Sequence, residues 1–137
     1  MSDKLLYLEI VTPAKIIFSG NVKSITVPGE LGSFQVLYNH APIISNLTIG
    51  EVKVVKEDDS VDYYAINGGF IIVFRNRITV ISDSLIKAND IKVDIVNAEL
   101  IRTEEELKLK RKIENVESLE IKLNQLKNQI KVSKRVS

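Results

Sequence analysis

From Asp90 to its end the chain contains no glycine, no proline and no aromatic residue, while glutamate, lysine, leucine and isoleucine dominate. A run of this kind favours helix by intrinsic propensity and lacks the residues that turn a strand. All turn chemistry therefore falls in the preceding part. The change comes near Ala88 and predicts two modules, residues 1–87 and residues 88–137. With 137 residues, 45% of them hydrophobic, the chain can bury one modest core with an appendage rather than two large domains.

The first module reads as short strands. Leu6, Leu8 and Ile10 alternate with Tyr7 and Glu9, and Lys23, Ile25 and Val27 alternate with Ser24 and Thr26, so each run offers one face to a core. Residues 52–55 and 61–66 flank Lys56-Glu57-Asp58-Asp59-Ser60, a charged connection of hairpin length. Residues 70–74 and 78–81 flank Arg75-Asn76-Arg77 in the same way. Short strands separated by turn residues predict an antiparallel β-sandwich or flattened barrel.

The second module predicts an α-helical hairpin. Val93, Val96, Leu100, Thr103 and Leu107 form one stripe at 3-4-3-4 spacing, and Val116, Leu119, Leu123, Leu126 and Ile130 form another. Continuing the first stripe lands on Lys110 and Glu114, so the register breaks between about residues 110 and 115. Asn115 is a candidate N-cap, and Glu117 suits the first turn of the second helix. The connection has neither glycine nor proline, which leaves a single long helix as the alternative.

Little in the chain points to catalysis. There is no cysteine, which removes disulfides and thiolate metal or redox chemistry. His40 is the only histidine, so a histidine metal cluster is impossible, and its Asn-His-Ala-Pro setting suits a turn residue bonded to nearby backbone. Gly29 and Gly32 are not followed by a Gly-Lys-Ser/Thr triplet and make no phosphate loop. Gly68-Gly69 predicts a kinked strand or a close backbone approach. Asp58-Asp59 and Glu104-Glu105-Glu106 fall in a turn and on a solvated helix face. No catalytic residue, metal site or cofactor is expected. A net charge of +1 advertises neither nucleic acid nor an anionic membrane as partner. The N-terminal Met1-Ser2-Asp3-Lys4 enters directly into a strand-like run, and no apolar stretch reaches about 18 residues, so an unexported chain without membrane insertion is expected.

Two features remain. One is a turn-rich run inside the strand pattern, Val27-Pro28-Gly29-Glu30-Leu31-Gly32-Ser33-Phe34-Gln35-Val36-Leu37-Tyr38-Asn39-His40-Ala41-Pro42, read with Asn67-Gly68-Gly69-Phe70. The other is a charge asymmetry: from Ile121 on there are five basic residues (Lys122, Lys127, Lys131, Lys134, Arg135) and no acidic one. The asymmetry suits either an ordinary helix with a basic tail or a basic helix seeking an acidic surface.

In order and spacing, the turn-rich run, the paired glycines and the helical pair resemble the epsilon subunit of rotary F-type ATP synthases over almost the whole chain. The resemblance implies a non-catalytic central-stalk subunit on the cytoplasmic face of the bacterial plasma membrane, peripheral to it. Its sandwich would hold the gamma subunit and touch the c-ring. Its helices would fold back or extend toward the alpha/beta catalytic head, where they restrain ATP hydrolysis. On that resemblance the turn-rich loop, with Glu30, Ser33, Tyr38, Asn39 and His40, is expected at one end of the sandwich facing gamma and the c-ring, and the five basic residues form the inhibitory arm.

This chain also departs from the family pattern. Tyr38-Asn39 replaces the usual Pro-Gly before the histidine, where asparagine can still take a left-handed turn. Asn67 replaces a serine. The family's nucleotide-associated signature is matched only by Val93-Asp94-Ile95-Val96-Asn97-Ala98, where Asn97 replaces arginine. Without the guanidinium, Asp94 and Asn97 are weak candidates for holding ATP. A small sandwich adaptor with a helical interaction arm is the rival reading.

Overall fold

The computed structural model describes residues 4–136, and the entry of Met1-Ser2-Asp3 into the first strand lies outside the described residues. Seven strands come first: β1 (Leu6–Val11), β2 (Ile16–Gly29), β3 (Gly32–Val36), β4 (Ile43–Lys56), β5 (Val61–Phe74), β6 (Arg77–Ile81) and β7 (Leu85–Lys87). A short 3-10 turn, Ala88–Asp90, leads to helices α1 (Val93–Lys110) and α2 (Glu117–Ser133). The chain divides into two compact units, one ending at Lys87 and one beginning at Ala88.

In the first unit the strands run β1-β6-β5-β4-β2, and β2 pairs back onto β1, which closes the ring into a flattened barrel. β3 lies outside on β2, and β7 outside on β5. The pairings are antiparallel except β1 with β6, which run parallel with Tyr7 opposite Arg77. Strand alternation alone suggested an antiparallel arrangement throughout. The parallel pair arises because the first strand fills the gap between β2 and β6.

The expected alternation puts Leu6, Leu8 and Ile10 fully inside, with Ile25, Val27, Val52, Val54, Ile66, Ile71, Ile78 and Val80. Each such side chain contributes about 1.5–3 kcal/mol of transfer free energy. The expectation that Lys23 shares a face with Ile25 and Val27 does not hold. β2 carries a bulge between Val22 and Ser24 where it pairs with β4, so Val22, Ser24 and Ile25 are buried and Lys23 points to solvent. There its ammonium reaches Asp59 at 2.6 Å.

The long strand β5 changes partners at Asn67-Gly68-Gly69. Tyr64, Ala65 and Ile66 pair with β7, whereas the stretch from Phe70 to its end pairs with β6. The switch brings Gly69 against the backbone of Ile81: a Cβ there would lie 2.2 Å from the Ile81 carbonyl oxygen, at φ +138°. The buried Ser82 hydroxyl donates to the Gly68 carbonyl at 2.6 Å and fixes the bend.

In the second unit α1 and α2 form the expected pair, with a break at residues 111–116 rather than one continuous helix. Val96, Thr103 and Leu107 of α1 and Leu126 of α2 are buried, and Leu100, Leu119, Leu123 and Ile130 are half-buried. Val93, at the start of the first stripe, is exposed. Asn115 does cap α2, one position earlier than the geometric cap Val116: its Oδ1 accepts the Glu117 backbone N–H at 2.9 Å.

The Gly69 contact leads to a stability prediction. Gly69→Ala combines a Gly-only conformation with a backbone clash and should cost about 2–4 kcal/mol in urea unfolding. Gly68→Ala, at φ +115° but with the nearest atom 3.5 Å away, should carry only the conformational part, about 1–3 kcal/mol. Equal losses for the two variants would show that the approach to Ile81 is not the constraint.

Candidate functional site

The residues expected in one turn-rich loop fall into two separate turns. Glu30 and Leu31 form the tip of the β2–β3 hairpin, closed by Gly29 opposite Gly32, and the Glu30 N–H reaches the Asn46 carbonyl at 3.3 Å. Ser33 follows, exposed, near the start of β3. Tyr38, Asn39 and His40 lie beyond the other end of that strand. At about 3.3 Å per residue, the five residues of β3 keep the two groups roughly 17 Å apart. The expectation that residues 30–42 make one loop at one end is therefore corrected. Phe34 and Val36, alternating with Ser33 and Gln35, were the signal for the missed strand.

The 37–40 turn is closed by the His40 N–H donating to the Leu37 carbonyl at 3.0 Å. The His40 ring is a local backbone partner, as its setting suggested: Nδ1–H donates to the Ala41 carbonyl at 2.7 Å. Asn39 takes φ +64°, the left-handed conformation expected of it. The turn is joined to the β5–β6 hairpin tip: Asn39 N–H donates to Asn76 Oδ1 at 2.6 Å, and Asn76 Nδ2 donates to Asn39 Oδ1 at 3.0 Å. Leu37 and Tyr38 turn outward, 51% and 41% exposed.

Beside this turn lies an apolar surface that the motif reading missed. On β5 Phe70, Ile72 and Phe74 alternate outward from the core, and Ile44 of β4 pairs across from Ile72. Ile44 is 76% and Phe74 53% exposed. Pro42, Ile43, Ile44, Ile72, Val73 and Phe74 line a shallow apolar depression there. The signal was available in the unbroken run Phe70-Ile71-Ile72-Val73-Phe74, because a strand apolar on both faces expects cover on both. The margin carries cations, with Arg75 stacked on the Phe74 ring at 5.1 Å and Arg77 on the Tyr7 ring at 4.8 Å.

In the helical unit the expected basic residues differ in their settings. The Lys122 ammonium reaches across to the half-buried Glu99 of α1 at 3.1 Å, and Glu99 also meets Arg102 on its own helix. Lys127, Lys131, Lys134 and Arg135 lie exposed along the rest of α2 and just past it. A second pairing across the connection, Arg111 with Glu120, spans 3.9 Å. Near the end of α1 the Lys110 ammonium donates to Glu106 at 2.9 Å. This bond, with the lysine charge, holds the Glu106 carboxyl below its ordinary range and lifts Lys110 above its own. Asp94 and Asn97, the weak nucleotide candidates, are both exposed near the start of α1. Among the described residues no group of three or more histidine, cysteine, aspartate or glutamate side chains could hold a metal ion. Among them, too, no helix is long and apolar enough to cross a membrane.

Residues 5–88 match the family profile described as ATP synthase, Delta/Epsilon chain, beta-sandwich domain. The chain is 38% identical to the ATP synthase epsilon chain of Pelotomaculum thermopropionicum over 112 residues, covering 82% of this chain and 81% of the relative. With the epsilon chain of Lactobacillus delbrueckii subsp. bulgaricus the identity is 36% over 96% of this chain and 94% of that one. With that of Bordetella avium it is 31% over 96% and 93%. The fold is similar to a chain in the Euglena gracilis mitochondrial ATP synthase, with a TM-score of 0.71 and 20% identity over 96% of this chain and 79% of that one.

The Glu106–Lys110 pair predicts a titration. A carboxyl lowered in the folded chain contributes stability above the ordinary glutamate range, about pH 4.3, and loses it as pH falls through the lowered value. The raised Lys110 does the converse: its contribution is present below the ordinary lysine value and is lost as pH rises through the raised one. Lys110→Gln should return Glu106 to the ordinary range in a carboxyl-resolved NMR titration. A Glu106 curve that the substitution leaves unmoved would show that the pair does not form in solution.

Proposed function

This chain belongs to the ATP synthase delta/epsilon family, among its epsilon chains, and from that premise we propose that it is the non-catalytic stalk subunit that joins gamma to the membrane c-ring and restrains ATP hydrolysis with its helices. The observation that supports this most is the outward apolar face of β4 and β5. A sandwich that leaves Ile44 and Phe74 largely exposed around an apolar depression has a surface suited to a partner, and the gamma subunit is the partner assigned to it. The adjoining 37–40 turn, with Tyr38, Asn39 and His40, contacts gamma or the c-ring. Glu30 and Ser33, at the other end of β3, form a second contact. The working site is the cytoplasmic face of the bacterial plasma membrane, reached through the complex rather than by insertion.

The helices supply the restraint. In the folded hairpin Lys122 is held by Glu99; an extended arm presents it with Lys127, Lys131, Lys134 and Arg135 to acidic segments of the catalytic head. Asp94 and Asn97 lack the cationic partner a nucleotide phosphate calls for, so the restraint is set by charge and not by ATP bound to this chain.

Two measurements check this reading. His40→Cys should crosslink to gamma or c in the assembled complex, and Ser33→Cys to a rotor subunit; silence at both sites in a correctly assembled complex would remove the contact assignment. Exposed ion pairs are worth only about 0.2–1 kcal/mol each, so replacing one basic residue should change little. Replacing all five with glutamine should raise ATPase activity roughly tenfold, make it less sensitive to salt and leave ATP synthesis intact. Wild-type hydrolysis by the fivefold variant across a salt series would reduce the cluster to a solvated tail.

A further inference from the structure

Three separated stretches of the sandwich meet at Asn76. Its carbonyl accepts the N–H of Tyr7, in β1, at 2.9 Å. Its side-chain Oδ1 accepts the Asn39 N–H at 2.6 Å, and its Nδ2 donates to Asn39 Oδ1 at 3.0 Å. Two antiparallel bonds between one amide and one residue fix rotation as well as distance, which a single bond does not. The clasp also depends on unusual backbone at both ends: Asn39 sits at φ +64°, and Arg75 and Asn76 take φ +50° and +61° in a tight two-residue hairpin.

Packing does not replace this clasp. Leu37 and Tyr38 point outward, and Asn39 is exposed, so no core side chain of the 37–40 turn anchors it. Its own closures, His40 N–H to Leu37 and the His40 ring to Ala41, shape the turn but do not attach it to the sandwich. The attachment is Asn76, 37 residues away in sequence. We infer that Asn76 is a positioning residue: it stiffens the 37–40 turn against the barrel, so that force passed through that turn moves the sandwich rather than the loop. This rests on the reading that the turn carries a rotor contact.

Asn76→Gly tests it, because glycine keeps the positive φ and removes only the side chain. In the isolated chain, hydrogen exchange at the Asn39 amide should quicken about fivefold, the factor that one net hydrogen bond supplies. In the assembled complex, crosslinking from His40→Cys should fall severalfold, with fewer coupling ions pumped per ATP hydrolysed. Asn76→Asp should restore all three, since the carboxylate still accepts from the Asn39 N–H and an Asn39 amide turned over can donate to it. Where Asn76→Gly fails to fold, the Asn39→Asp/Asn76→Asp pair makes the same comparison: two facing carboxylates have no proton to share, and the double variant should lose more than its two parents together.

Unchanged Asn39 exchange in Asn76→Gly, or additive losses in the aspartate pair, would overturn the clasp. Faster exchange with wild-type crosslinking and pumping would overturn the positioning role. No crosslink from His40→Cys with Asn76 intact would instead overturn the rotor contact on which the inference stands, a result separable from the others because Asn76 is unaltered in it.

Discussion

The pairing of β4 with β5 organises the sandwich. Each strand is 14 residues long, and their ladder runs from Ile43 opposite Val73 to Val55 opposite Val61. Strands of that length cannot stay flat around so small a core, because each has to serve both sides of a flattened barrel. The bend at Gly68-Gly69 lets β5 do this, with β7 on one half and β6 on the other. The closeness of Gly69 to the Ile81 carbonyl follows from that double duty. So does the outward apolar face, because the bent half of β5 presents its Ile71 and Val73 side to the core and its Phe70, Ile72 and Phe74 side outward.

The helical unit is held in a different way. Its stripes bury few side chains completely, and the bonds across its connection include ion pairs of partly or largely exposed groups, Lys122 with Glu99 and Arg111 with Glu120. Such pairs are weak and screened by salt. A barrel closed by buried aliphatics and a hairpin whose thin apolar seam is supplemented by exposed charge respond differently to the same conditions.

What could be read in the sequence was what repeats locally. The alternation of Leu6, Leu8 and Ile10 located β1, the charged residues 56–60 marked a hairpin, and the loss of glycine, proline and aromatics past Asp90 marked the helices. Features joining distant residues left no such trace. The parallel register of β1 on β6 is a match between segments far apart in the chain, and the bulge at Lys23 needed the β4 partner to reveal it. β3 was obscured because its short alternation lies between two runs of turn residues. Of the residues proposed for the rotor contact, Tyr38, Asn39 and His40 came from the resemblance alone. Asn76 was visible only as one residue of a turn, since a polar pair 37 residues apart has no periodicity to betray it.

The parallel β1–β6 pair also dictates an order of events during synthesis. β1 leaves the ribosome first, but Tyr7 finds its partner only when Arg77 has been made. At about 5–20 residues per second, that interval is roughly 4–14 s. Until then the barrel cannot close, and β1 can do no more than pair with β2 along one edge. Ring closure is thus a late, long-range step of the kind that slows folding, and the nascent chain carries an open strand edge beside apolar surface for seconds. The helical residues follow β7 in the chain and emerge once every strand of the ring has been synthesised.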